Sequence, residues 1–173
     1  MRTDPQMTRE SLVNFYQEDY RVLYGGEERA TDDFFKQQLI RGEHVIQFTR
    51  EWFSASSPEQ LVFDIGCGAG GLLMPFHEAG CRAIGCDLGR EYLEYGRAKG
   101  LIMEHGDSEV LSHYGKADLI MLNHVIEHFK NPEKEIRRIA ELLTDDGLIY
   151  VELPGVLSIK ETYGDLLLFL QNA

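Results

Sequence analysis

The chain is short of positive charge. Its 173 residues carry 17 Lys and Arg against 29 Asp and Glu, a formal net charge of −12. That balance argues against a nucleic-acid backbone as the main partner, since such surfaces need clustered cations. It leaves room for a small polar or cationic substrate and otherwise serves solubility. Cysteine is scarce as well. Cys67, Cys81 and Cys86 make an odd number with no CxxC pair, so neither a disulfide framework nor a metal site is expected. Cys81 and Cys86 sit among apolar residues and read as small core side chains, and Cys67 fits between glycines because it is small. No apolar run reaches the ~20 residues that span a bilayer. The first residues, "MRTDPQMTRESLVNF", lack a basic stretch leading into a long apolar one. A cytoplasmic protein without a membrane span is the expectation.

The hydrophobic content, 43%, suffices for one core of ordinary size. Composition shifts once, at "SASSPEQ" (54–60). Residues 1–55 read as a helical lead and 56–173 as the main body. In the lead, a helix over 8–23 clusters Phe15, Tyr16, Tyr20 and Tyr24, as core packing or as a lid over a ligand. A second helix opens with Thr31 as N-cap and Asp32 and Asp33 in its first turn. Phe35, Leu39, Val45, Phe48 and Trp52 fall near one of its faces, with Gly42 as a point of weakness.

After residue 60 the period changes. "LVFDIG", "CRAIGCDL", "LIMEHGD", "KADLIMLNHV" and "LIYVELP" read as strands, the last entered through a "DDG" turn. Between them lie helical patterns: "GLLMPFHEAG", "GREYLEYGRAKG", a weak one over 109–113, and one capped by Asn131 with Pro132 behind it. Strands alternating with helices imply an α/β fold. Its sheet is doubly wound, Rossmann-like and mostly parallel, with helices on both faces.

In such sheets a ligand binds at the carboxyl ends of the strands, where strand order reverses. The first strand runs into "DIGCGAGG", whose glycines let the backbone turn and approach a ligand closely. The helix that follows aims its N-terminus at the same place, which favours a carboxylate or phosphate there. Gly66, Gly68 and Gly71 satisfy GxGxxG, and Asp87 stands where a dinucleotide's ribose acid would. Asp64 separates the two readings. A carboxylate at the loop mouth repels a pyrophosphate but suits a ligand bearing positive charge.

"VFDIGCGAGG" resembles the first motif of class I S-adenosylmethionine-dependent methyltransferases, small-molecule type. "IGCDLG", "EHGDSEVL", "ADLIMLNHVIEH" and "LLTDDGLIYVELPG" resemble their later motifs in order, over residues 61–155. The resemblance implies S-adenosylmethionine as cofactor, S-adenosylhomocysteine as product and a small-molecule acceptor. It implies that Asp64, Gly66, Cys67, Gly68 and Gly70 shape the methionine end. Asp87 with Leu88 then takes the ribose, Asp107 and Ser108 meet adenine, and Asn123 and His124 line the fourth strand's exit. An acceptor hydroxyl, on a sugar-, lipid- or quinone-like molecule, must lose a proton. "NHVIEH" offers His124, Glu127 and His128, and its first reading is a structural or cofactor-contacting loop. His124 and His128, which would share a helical face, are the candidate bases, while the HxxEH spacing lacks a third ligand for a metal.

Family members continue past the fifth strand, whereas this chain ends at "GVLSIKETYGDLLLFLQNA", with an apolar run over 166–170. The fifth strand would then be an open edge. A piece of a longer protein accounts for this best. A homodimer covering the edge would also account for it, as would a truncated, non-catalytic cofactor-binding protein. A nicotinamide-dependent oxidoreductase is the remaining alternative for the glycine loop.

Overall fold

The computed structural model describes residues 30–154, with Thr8, Ser11 and Phe15 besides. Most of the expected helix over 8–23, and the whole of the tail from 155, lie outside the described residues.

Thr31 caps α1 (Asp32–Thr49), its hydroxyl accepting from the Phe34 N–H at 3.2 Å. The helix is continuous through Gly42, and the reason is a crossing. A Cβ at Gly42 would collide with the carbonyl oxygen of Leu72, so glycine is what lets the two segments touch. The expected apolar stripe holds only in part. Phe35 and Val45 are buried, but Phe48 and Trp52 are 66% and 65% exposed, and Phe53 is buried in their stead. Phe48 instead leans edge-on against Tyr150, ring centroids 5.9 Å apart.

Next come β1 (Leu61–Ile65), α2 (Met74–Glu78), β2 (Arg82–Asp87), α3 (Arg90–Ala98) and β3 (Ile102–His105). A 3-10 helix (Ser108–Tyr114) leads to β4 (Ala117–Asn123) and a 3-10 turn (Ile126–His128). The last described elements are α4 (Pro132–Ala140) and β5 (Leu143–Glu152). The strands form one sheet in the order β3-β2-β1-β4-β5, and every pairing is parallel. A parallel sheet covered on both faces needs strands that are apolar at nearly every position. All five residues of β1 are buried. Val62 packs with Phe35, Val45, Leu73 and Leu93 on one face, and Phe63 and Ile65 pack with Leu111 and Ile139 on the other. α1 thus contributes to the same core as the sheet. Asp118 fixes the start of the central pair, its carboxylate accepting from the Leu61 N–H at 2.8 Å.

Several local expectations need correction. "GLLMPFHEAG" yields only the five residues of α2, because Pro75 sets the start and the residues before it form turns. The weak helix over 109–113 is the 3-10 segment, whose N-cap Asp107 accepts from the Glu109 N–H at 3.0 Å. "DDG" is no separate turn. It lies inside β5, where the pairing jumps from Ala117↔Leu143 to Leu119↔Leu148. The cap of α4 is as expected, Asn131 accepting from the Lys134 N–H at 3.2 Å with Pro132 behind it.

Candidate functional site

β1 pairs with β2 on one side and β4 on the other, so strand order reverses beside β1. A crevice opens there at the carboxyl ends of the strands. Five short hydrogen bonds build its floor. The N–H groups of Gly66 and Cys67 both donate to the Cys86 carbonyl, at 2.8 and 3.0 Å. Asp87 Oδ2 accepts from the Gly68 N–H at 2.8 Å and Oδ1 from the Gly89 N–H at 2.7 Å. The Gly106 N–H donates to the Asp87 carbonyl at 3.0 Å, which draws in the turn bearing Asp107 and Ser108. Leu88 contributes its carbonyl to a contact with His105 Nε2 at 3.2 Å.

Gly66, Gly68 and Gly70 all have left-handed backbones, with φ of 73°, 54° and 79°. A Cβ at Gly66 would stand 2.6 Å from Val125 Cγ2, so the exit of β4 closes down on this residue. Cys67 is buried, and its Sγ lies 2.6 Å from where Gly85 would carry a Cβ. It fills the space above β2, a packing role in which small size matters most.

Asp64 is only 2% exposed, and its Oδ2 has no hydrogen-bond partner among the described residues. Burial first, and the nearby charge of Asp87 second, hold its carboxyl well above the usual carboxylate range. A lone polar atom in such a place is costly unless something completes it. The carboxylate expected at the loop mouth is thus a fully sealed one. A ligand cation at the loop would ionise and satisfy it. The helix N-terminus expected to face the ligand is corrected. α2 is little more than one turn long and begins only at Met74.

At the exit of β4, His124 does not lie on a helix with His128. Its backbone is left-handed, φ 53°, and His128 closes the 3-10 turn that follows. The imidazole lies between two carboxylates, Nδ1 3.5 Å from Glu127 Oε1 and Nε2 3.6 Å from Glu152 Oε1. Glu152, at the end of β5, organises the corner. Its Oε2 accepts from Asn123 Nδ2 at 2.8 Å and from the Tyr150 hydroxyl at 2.9 Å, and its carbonyl accepts from the His124 N–H at 2.9 Å. Burial and then Glu152 push the Tyr150 hydroxyl up to about 12, so it stays a donor. Sequence reasoning missed Glu152 and Val125. Neither carries a signal of its own: Val125 lies in the loop after β4, and only the β4–β5 register aligns Glu152 with Asn123. Among the described residues, no group of three or more His, Cys, Asp or Glu is placed to hold a metal ion.

A family described as "Methyltransferase domain" matches residues 38–171. The chain belongs to the class I S-adenosylmethionine-dependent methyltransferases. Membership displaces the nicotinamide reading of the loop, and the family's cofactor is S-adenosylmethionine. The chain is 33% identical over 122 residues to a ubiquinone biosynthesis O-methyltransferase of Chelativorans sp., covering 65% of this chain and 47% of that protein. It is 28% identical to the protein of that name in Yersinia enterocolitica, covering 64% and 47%. The chain thus spans about half the length of the curated relatives it matches. Among solved structures, a plantazolicin methyltransferase in complex with SAH superposes with TM-score 0.64 at 17% identity, covering 87% of this chain and 60% of that one. Coclaurine N-methyltransferase, bound to N-methylheliamine and SAH, gives 0.59 at 20% identity, covering 85% and 45%. At these identities the likeness is one of fold.

Proposed function

We propose that the protein transfers the methyl group of S-adenosylmethionine to a hydroxyl of a small sugar-, lipid- or quinone-like molecule. The observation that carries the reading is the orphaned, buried carboxyl of Asp64 beneath a glycine cradle at the switch point. When bound, S-adenosylmethionine supplies a methyl group already activated on a sulfonium. The chain's own work is then to hold, align and deprotonate.

In this reading Asp64 and the loop of Gly66, Cys67, Gly68 and Gly70 hold the methionine end. Asp87 holds the ribose. Each of its oxygens takes one backbone N–H, which fixes the carboxylate at the end of β2. Leu88 flanks it, and Asp107 and Ser108 meet adenine. His124, oriented by Glu127 and Glu152, takes the acceptor's proton, with His128 as the other candidate. The names of the curated relatives favour oxygen as the acceptor atom. Residues 1–55 serve as lead and lid, and 56–173 as the cofactor-binding core. The same reading places the protein in the cytoplasm, with a second copy as one cover for the β5 edge.

The test is turnover. Full-length protein is incubated with S-adenosylmethionine and a panel of catechols, hydroquinones, sugars and hydroxylated lipids, and S-adenosylhomocysteine is counted. Product formation with a hydroxyl-bearing acceptor supports the reading. Tight S-adenosylhomocysteine binding with no acceptor methylated would favour a non-catalytic binding protein.

A further inference from the structure

The turn proposed to meet adenine is held by one cation from a distant element. Arg138, in the last turn of α4, reaches across to the start of the 3-10 helix. Its Nη2 lies 3.5 Å from Asp107 Oδ1 and donates to Ser108 Oγ at 3.1 Å, while Nη1 pairs with Glu109. Glu135, one turn back on α4, sits 3.2 Å from Nη2. Three carboxylates and a hydroxyl therefore converge on one guanidinium whose side chain is only 26% exposed. Ser108 itself is 3% exposed. A planar fork suits this geometry, since it aims several N–H donors in fixed directions where an ammonium offers a point charge.

We infer that Arg138 is a positioning residue for the adenine end of the cofactor site. It does not touch the ligand. It offsets part of the cluster's negative charge and holds the Asp107 side chain in place, so that this carboxylate is aimed when an exocyclic amine arrives. Without the guanidinium, Asp107, Glu109 and Glu135 repel one another and the turn relaxes away from the crevice. The inference rests on the cofactor reading above, which assigns Asp107 to adenine. It adds a residue that no motif of the sequence marks, because α4 lies outside the ligand-facing loops.

The experiment is calorimetric binding of two probes to the 173-residue chain. S-adenosylhomocysteine carries the exocyclic amine, and S-inosylhomocysteine replaces it with a carbonyl. The wild-type chain is expected to prefer the first. R138Q should weaken S-adenosylhomocysteine by about tenfold, the scale of one charge-assisted hydrogen bond. It should leave S-inosylhomocysteine nearly unchanged, so the preference collapses. R138K, which keeps the charge without the fork, should fall between, and it carries the test if R138Q does not fold. An unchanged preference in the variants, with affinity for both probes lowered alike or not at all, overturns the role of Arg138 and leaves the cofactor reading standing. A folded wild-type chain that binds neither probe overturns the cofactor reading itself, and the inference with it.

Discussion

The carboxylate of Asp87 accepts the backbone N–H of Gly68 at 2.8 Å, tying the end of β2 to the middle of the glycine loop. One side chain thus sets the loop's shape before any ligand arrives. Asp87→Ala should weaken S-adenosylhomocysteine binding by about 1.5–3 kcal/mol, the scale of hydrogen bonds to a charged group. Asp87→Asn should lose less, because an amide oxygen still accepts one N–H. Calorimetry checks both, and unchanged affinity in the alanine variant removes Asp87 from the site.

Gly68 has φ 54°, which a β-branched residue adopts only under strain. Gly68→Val should abolish cofactor binding while the far-UV circular dichroism and a cooperative melt survive. A normal binding isotherm for that variant would mean that the loop does not hold the cofactor.

The sealed carboxyl of Asp64 predicts a pH dependence with a definite sign. Its folded pKa is raised, chiefly by burial and then by Asp87. The native state therefore holds a proton that the unfolded chain has released. This contribution is full below the ordinary carboxylate pKa and is lost as pH rises through the raised folded value. Asp64→Asn, neutral at every pH, should flatten that decline in urea titrations. Cofactor binding to the wild type should release a proton, seen as a binding enthalpy that changes with the buffer's ionisation enthalpy. Equal enthalpies in phosphate and Tris would contradict it.

His124 holds a backbone conformation that L-residues avoid by roughly 1–2 kcal/mol, and glycine does not. His124→Gly should therefore be more stable than His124→Ala by about 1 kcal/mol in chemical denaturation. If the imidazole takes the acceptor's proton, both variants lose turnover equally. A strained backbone under a side chain with two carboxylate neighbours is what a functional constraint looks like in stability data.

Much of this was legible in the chain itself. Thr31 and Asn131 announce their helices because a cap is a local device. The β1 run is readable because a strand buried on both faces has no polar side to confuse the pattern. The glycine loop is readable as a tight turn, since the left-handed backbones of Gly66, Gly68 and Gly70 leave a mark in residue type. What escaped depends on tertiary contact. Gly42 looks like a helix breaker until the carbonyl of Leu72 is found against it. Phe48 and Trp52 follow the helical period yet stay largely exposed, Phe48 touching the sheet only through Tyr150. Glu152 and Arg138 are ordinary charges in sequence, and only strand register and a long side chain's reach bring them to the crevice.

The anchor between Asp118 and Leu61 spans 57 positions of the chain. β1 and β4 are the sheet's central neighbours, yet neither can zip onto the other until everything between them has been made and gathered in. Loop closure of that length comes before any reward from the pairing, so folding speed should be limited by this one meeting. During synthesis, an emerging β1 remains without its central partner until about a third of the whole chain has followed it, a window in which a chaperone or the partner strand of another copy can reach it first.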